Sequence, residues 1–264
     1  MTRILATAGS VRTPRCRNLG ASLAARIHLC GDLTVELDGQ RVETQLRGRQ
    51  GRLLFAYLVL NRKRRARRDE LVGAVWEDSR PPSPEAALSA LLSKLRQLVP
   101  LEGRAEVRLV LPDDAWVDVE AVADALHRAG AAVAREDWAA AWGPARVVQH
   151  IAARELMPGE ESAWVDEHRR RLRSAYERSL ELVAESCLEI GGGELDTAER
   201  AAHALVEVAP YRESGYRWLM LAHERRGNRA EALRVYDELR RLLRDELGMS
   251  PAPATQELHR SLLG

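Results

Sequence analysis

The sequence predicts a mainly α protein with a small β portion: an N-terminal winged helix-turn-helix followed by an all-α tetratricopeptide-like domain. Three observations lead there. Strand-period stretches flank three helix-period stretches up to about Val119, helical periodicity fills the rest, and a 34-residue spacing recurs near the C-terminus. The 264 residues suffice for about two domains, and an apolar fraction of 45% with 5% aromatics favours helices over sheets. The expected division is a disordered leader over 1–25, a winged helix over 26–117 and a helical domain over 118–264.

The polar, small-residue stretch at 1–25 scatters arginines and lacks an apolar segment, so it is expected to be disordered. From Ile27, apolar and polar residues alternate through Leu33, Val35 and Leu37, and Asp38-Gly39 supplies a hairpin turn before Val42. The period then changes. Leu53, Leu54, Tyr57, Leu58 and Leu60 make the stripe of a first helix. After "NRKRRARR", a second helix is predicted from about Asp69, with Leu71, Val72, Val75 and Trp76 apolar and two acids in a first turn whose amide dipoles favour negative charge. A third opens with Ser83 as N-cap and Pro84 at its first position, and carries the stripe Leu88, Leu91, Leu92, Leu95, Leu98, Val99. "EVRLVLPDDAWVDVE" reads as strand, Pro-Asp-Asp turn and strand, the wing hairpin.

Helices are expected near 119–133, 137–152 and 161–190, with three or four more beyond. Gly193, Ala198 and Leu205 recur as Gly227, Ala232 and Leu239, the period of a tetratricopeptide helix pair, and Pro210 closes the first unit. Trp116 and Trp164 are expected as packing anchors, Asp118 as a helix cap, and Trp138 and Trp142 as core.

Charge is unevenly placed. Residues 1–104 carry 19 basic and 10 acidic side chains, a balance of +9, whereas residues 105–264 carry 21 and 29, a balance of −8. A basic half joined to an acidic half suits a polyanion binder linked to a part that engages other partners. Cys16, Cys30 and Cys187 are too scattered for a disulfide framework or paired zinc ligands, which points to a reducing, cytoplasmic setting. No apolar run approaches the roughly 18–20 residues of a membrane span.

The third helix carries the expected base-reading face: Ser89, Ser93, Lys94, Arg96 and Gln97 lie opposite its leucine stripe. Arginine reads guanine edges and glutamine reads adenine in a major groove. Phosphate contact is expected from Arg67 or Arg68, at the entry to the second helix, and from Arg47, Arg49 and Arg52 at the start of the first, although Arg52 could instead pair with an acidic neighbour. Ala66 is the one position in the basic run expected to face inward. "GGGEL" at 191–195 lacks the lysine of a phosphate loop and reads as an inter-helix turn. The histidines form no metal motif, and no nucleophile–base pair or cofactor loop appears. Neither an enzyme nor a cofactor is expected.

"LRGRQGRLLFAYLVLNR", "DELVGAVW", "AALSALLSKLR", "WVDVE", "APYRESGYRWLM", "GNRAEALRVYDELRRLLRDELGMSP" and "TQELHRSLL" resemble, in this order, the Streptomyces antibiotic regulatory protein (SARP) type of transcriptional activators. The similarity runs over about residues 26–263, and the stretch from Glu231 to Pro251 is its most specific part. The resemblance implies an OmpR-like winged helix joined to a bacterial transcriptional activator domain. It further implies binding to direct-repeat promoter DNA as a side-by-side homodimer on the bacterial nucleoid, and recruitment of RNA polymerase through its sigma factor. Many members end the wing with a Gly-Gly-Tyr-type strand where this chain has "LVLPDDAW". Longer relatives add an ATPase or sensor region, and no Walker loop is present here. A small-molecule or nucleotide effector is a further candidate partner, with no residues assigned to it. The rival reading is a helical scaffold or ligand-sensing interaction protein whose winged helix binds protein in place of DNA.

Overall fold

A computed structural model of the chain describes residues 25–46, 48–77 and 79–264. The leader expected over 1–25 falls almost wholly outside the described residues, and Ala25 already belongs to the first strand.

Strands β1 (Ala25–His28), β2 (Thr34–Leu37) and β3 (Gln40–Arg41) form an antiparallel meander. Its tight turn holds both Asp38 and Gly39 at positive φ, 50° and 74°, as the Asp-Gly pair predicts. Helix α1 (Arg49–Leu60) buries Leu53, Leu54, Phe55 and Leu58. Strand β4 (Ala66–Arg67) leads into α2 (Arg68–Trp76), and α3 (Pro84–Leu95) packs on both helices through Leu88, Leu92 and Leu95. Ser83 stands at the N-cap of α3 as expected, but its side chain caps nothing; the proline ring alone marks the start.

The wing lies elsewhere than the sequence suggests. Strands β5 (Leu101–Glu102) and β6 (Glu106–Leu109) form the hairpin, and β4 pairs with the outer edge of β6. The turn is at Gly103, φ 82°, where an added Cβ would stand 1.8 Å from the Glu106 carbonyl oxygen, so only glycine fits. The Pro-Asp-Asp stretch is instead the crossover to β7 (Trp116–Val117), which joins the other sheet parallel to β1, with Arg26 opposite Trp116 and Ile27 opposite Val117. The sheet orders are therefore β3-β2-β1-β7 and β4-β6-β5.

The helical domain begins directly after β7, at Asp118. Helices α4 (Asp118–Val133), α5 (Trp138–Ala152) and α6 (Ala163–Ile190) pack consecutively. Two helix pairs follow, α7 (Leu195–Val208) with α8 (Glu213–Arg225), and α9 (Arg229–Leu247) with α10 (Pro253–Leu263). The repeat partners Ala198 and Ala232, and Leu205 and Leu239, are all fully buried, which is what a 34-residue helix-pair register requires. Trp138 and Trp142 are not core. The buried stripe of α5 is Ala141, Ala145, Val148 and Ile151, which leaves Trp138 half-buried on its flank and Trp142 exposed.

One apolar core unites β1, β2, α1–α3 and the hairpin with Val122, Val148, Ile151, Leu156, Val165 and Leu172; a second joins the later half of α6 to α7–α10. Asp118 fastens the first core where the two parts meet. It is fully buried, and its carboxylate accepts from the Leu29 and Cys30 amides at 2.8 Å each and from the Val119 amide at 2.8 Å. Asp118 thus sits one position inside the helix, not at the cap, and ties β1 to α4. Burial pushes its carboxyl above the ordinary aspartate value, while the three amides pull the other way. Trp164 is the second fastening: its indole N–H donates to the Ala74 carbonyl at 3.0 Å and its ring meets Tyr57 edge-on at 5.3 Å.

Candidate nucleic-acid interface

Helix α3 shows its solvent face because its period places Leu88, Leu92 and Leu95 inward. Ala86, Ala90, Ser93 and Lys94 are exposed on the opposite side, with Gln97 in the turn that follows. The alanines lie at the centre of this face. A search for polar readers passes over them, yet an outward alanine on such a helix suits contact with a thymine methyl. Lys94 and Gln97 also border a groove of about 340 Å³ against α1.

The flank of α3 is held to the wing by two arginines. Arg68 donates to the Glu85 carboxylate at 2.7 Å, the Glu85 carbonyl at 3.2 Å and the Ser89 hydroxyl at 2.8 Å, and it reaches the Arg104 carbonyl at 3.5 Å. Ser89 in turn donates to the Glu85 carbonyl at 2.8 Å. Arg96, just past the helix, donates to the Gly103 carbonyl at 2.7 Å. Ser89, Arg68 and Arg96 therefore orient the hairpin tip along α3, and Ser93, Lys94 and Gln97 remain unengaged among the described residues. Arg104 stands exposed at the tip, a position that its Gly-Arg-Ala turn could have signalled.

The basic run divides in the same way. Arg62 donates to both carboxylate oxygens of Glu120 on α4, at 2.7 and 2.8 Å, and holds that carboxyl below its ordinary value. Arg64 pairs with Glu70, which also accepts from the Tyr57 hydroxyl; the guanidinium foremost, then the hydroxyl, bring the Glu70 carboxyl to about 2. Ala66 is buried, as expected, against the wing strand. Arg67 is well exposed and pairs with Asp69 at 3.0 Å. Lys63 and Arg65 are exposed, and their side chains donate no hydrogen bond among the described residues.

Arg49 and Arg52 face the helical domain. Both donate to Glu160, at 2.9 Å each, and Arg49 also reaches the Glu161 carbonyl at 2.8 Å. With side chains 46% and 42% exposed, each pair contributes at most about 1 kcal/mol, less than the roughly 1.5–3 kcal/mol from burying one large apolar side chain such as Leu156 or Val165 in the first core. The clasp orients; the apolar contacts hold. Arg47 lies outside the described residues. No three His, Cys, Asp or Glu side chains among the described residues converge as metal ligands, and no described helix is long and apolar enough to cross a membrane.

A family profile described as Bacterial transcriptional activator domain matches residues 117–263, more than half of the chain. The chain belongs to that family. The match begins at the end of β7 and takes in α4–α10, so the bacterial transcriptional activator domain here includes the residues that grip the winged helix. The chain is 31% identical to Regulatory protein AfsR of Streptomyces coelicolor over 97% of its own length and 26% of that protein's. It is 25% identical to Transcriptional regulatory protein EmbR of Mycobacterium tuberculosis, over 89% of its length and 62% of EmbR's. The chain thus spans about a quarter of AfsR and less than two thirds of EmbR. A solved structure of Mycobacterium tuberculosis EmbR in complex with a low-affinity phosphopeptide superposes over 91% of this chain and 65% of that one, with a TM-score of 0.76 at 21% identity, which shows a shared fold. With these relatives, the bacterial transcriptional activator domain and its preceding winged helix make this a SARP-type chain.

Proposed function

We propose that the protein is a DNA-binding transcriptional activator that reads promoter repeats through α3 and recruits RNA polymerase through its helical domain. The observation that carries this reading is the unengaged outer face of α3, with a hairpin oriented along its flank by Arg68 and Arg96. Ala86, Ala90, Ser93, Lys94 and Gln97 read base edges; Lys63, Arg65 and Arg67 hold phosphates; Arg104 at the wing tip reaches the adjacent backbone or minor groove. Arg68 and Arg96 act chiefly by setting the angle between helix and wing, and Arg49 and Arg52 by setting the angle between the domains. Direct repeats place two copies side by side, and the acidic balance of residues 105–264 suits docking on basic patches of polymerase and its sigma factor. The setting is the bacterial cytoplasm.

Fluorescence anisotropy with DNA from upstream of its own gene tests the division of labour. The Lys94→Ala, Gln97→Ala pair is expected to lower affinity for the bound site about ten-fold while leaving non-specific binding nearly unchanged. The Lys63→Ala, Arg65→Ala pair should weaken binding to all DNA and reduce the salt slope by about two. Binding that is insensitive to salt and to both pairs would remove the DNA-reading function and favour a protein-binding winged helix.

A further inference from the structure

Away from the α3 face, the connection between α5 and α6 borders a cleft of about 690 Å³, within the size range of small-molecule sites. Leu156 and Leu172, both buried, make its apolar floor, and Val208 from the end of α7 closes one side. Its rim carries Arg154, Arg169, Arg170 and Arg173.

These arginines are not equivalent. Arg169 is committed: it donates to the Leu156 carbonyl at 3.0 Å and the Met157 carbonyl at 2.9 Å, and pairs with Glu155 at 3.0 Å and Asp166 at 3.1 Å. Arg170 pairs with Glu167 at 2.6 Å, and Glu167 also takes Arg171 at 3.0 Å. The side chains of Arg154 and Arg173 are exposed and have no hydrogen-bond or ion-pair partner among the described residues. With Glu167 and Arg171 counted, five cations face three carboxylates, so about two positive charges are in excess. The C-terminal dipole of α5 offsets roughly half a charge of this and leaves the cleft cationic. The Tyr176 hydroxyl at the rim makes no hydrogen bond among the described residues and adds a free donor.

An ordinary solvated basic face would be convex and would need no apolar floor. We infer that this cleft binds a small organic phosphate: a phosphomonoester held by Arg154 and Arg173, joined to an aromatic or apolar body that lies on Leu156, Leu172 and Val208. A phosphomonoester carries close to two negative charges on one group, and guanidinium forks match its oxygens. Inorganic phosphate would satisfy the rim and leave the floor uncovered.

The same connection is joined to the winged helix. The Gly31 amide donates to the Glu155 carbonyl at 2.7 Å, the Met157 amide donates to the Leu29 carbonyl at 2.8 Å, and Glu160 clasps Arg49 and Arg52. The aliphatic stem of Arg154 passes over Gly31, 3.5 Å from where a Cβ would stand. An occupied cleft therefore steadies the contacts between β1 and the α5–α6 connection. This holds whether or not α3 reads DNA.

The test is calorimetric titration of the full chain with 1-naphthyl phosphate, with inorganic phosphate and 1-naphthol as comparisons, and amide hydrogen exchange on the same samples. Saturable binding of 1-naphthyl phosphate is expected, at least ten-fold tighter than either comparison. The Arg154→Ser, Arg173→Ser double variant should bind at least ten-fold more weakly, and Arg128→Ser on α4, also exposed and outside the cleft, should bind as the parent does. Exchange at the Gly31 and Met157 amides should slow on binding. Circular dichroism melts confirm that the variants fold. No saturable binding, equal binding of inorganic phosphate, undiminished binding by the double variant or an equal loss in Arg128→Ser would each overturn the proposal, as would preference for an acidic peptide.

Discussion

The first core mixes strands, winged-helix helices and the opening of the helical domain around large side chains such as Phe55, Leu54 and Ile27, whereas the second stacks helix pairs around alanines such as Ala198, Ala202 and Ala232. The first is closed by contacts between residues about 90 positions apart, including the Asp118 carboxylate on Leu29 and Cys30. The second is closed mostly by neighbours in sequence, helix on next helix. The contrast teaches that the winged helix is not an independent bead on a linker. Its stability is shared with α4–α6, while the later helix pairs can loosen alone.

Asp118→Ala tests this most severely. Two buried amides and a part-buried one lose their acceptor, so a loss of roughly 3–5 kcal/mol is expected, seen as a single lowered thermal transition with hydrogen-exchange protection falling in both β1 and α4. Exchange confined to the first turn of α4 would break the comparison. Leu239→Ala should cost about 2–4 kcal/mol by leaving a cavity in the second core, with protection lost in α7–α10 and kept at β1; loss at β1 would show the cores to be one. Glu160→Gln, which releases Arg49 and Arg52, is expected to cost about 1–2 kcal/mol in a urea melt, with accelerated exchange at the α5–α6 connection. The smallest effect is acid. Because the Glu70 carboxyl is held at about 2, below its ordinary value, its contribution is full above about pH 4.5 and is lost as pH falls toward 2. After allowance for solvent screening this amounts to about 1 kcal/mol, and Glu70→Gln should remove that part of the acid sensitivity of the melt.

Local periodicity made most elements legible. The Asp38-Gly39 turn, the α3 start at Pro84 and the paired positions 198 and 232 follow from spacing and turn chemistry within a few residues. The wing turn was not legible, because Gly103 and the Pro-Asp-Asp stretch are both plausible turns locally, and β7 is decided by its pairing with β1, some 90 residues away. Charge showed the same limit. A sequence displays Arg49, Arg52, Arg62 and Arg68 as basic, but their partners Glu160, Glu120 and Glu85 are brought to them only by the fold. The leucine stripe of α3 places its outer face, with Ala86 and Ala90 at the centre; it could not say that Arg96 would turn toward Gly103.

Because β7 runs beside β1, the segment that carries α1–α3 and the wing enters and leaves through adjacent strands, about 5 Å apart. It is mounted like a cartridge, with both of its ends at one socket and Asp118 as the catch. Such a mounting lets the winged-helix segment be exchanged for another of the same make without rethreading the helical body, provided that the residues just after the incoming first strand offer their two amides to the same carboxylate.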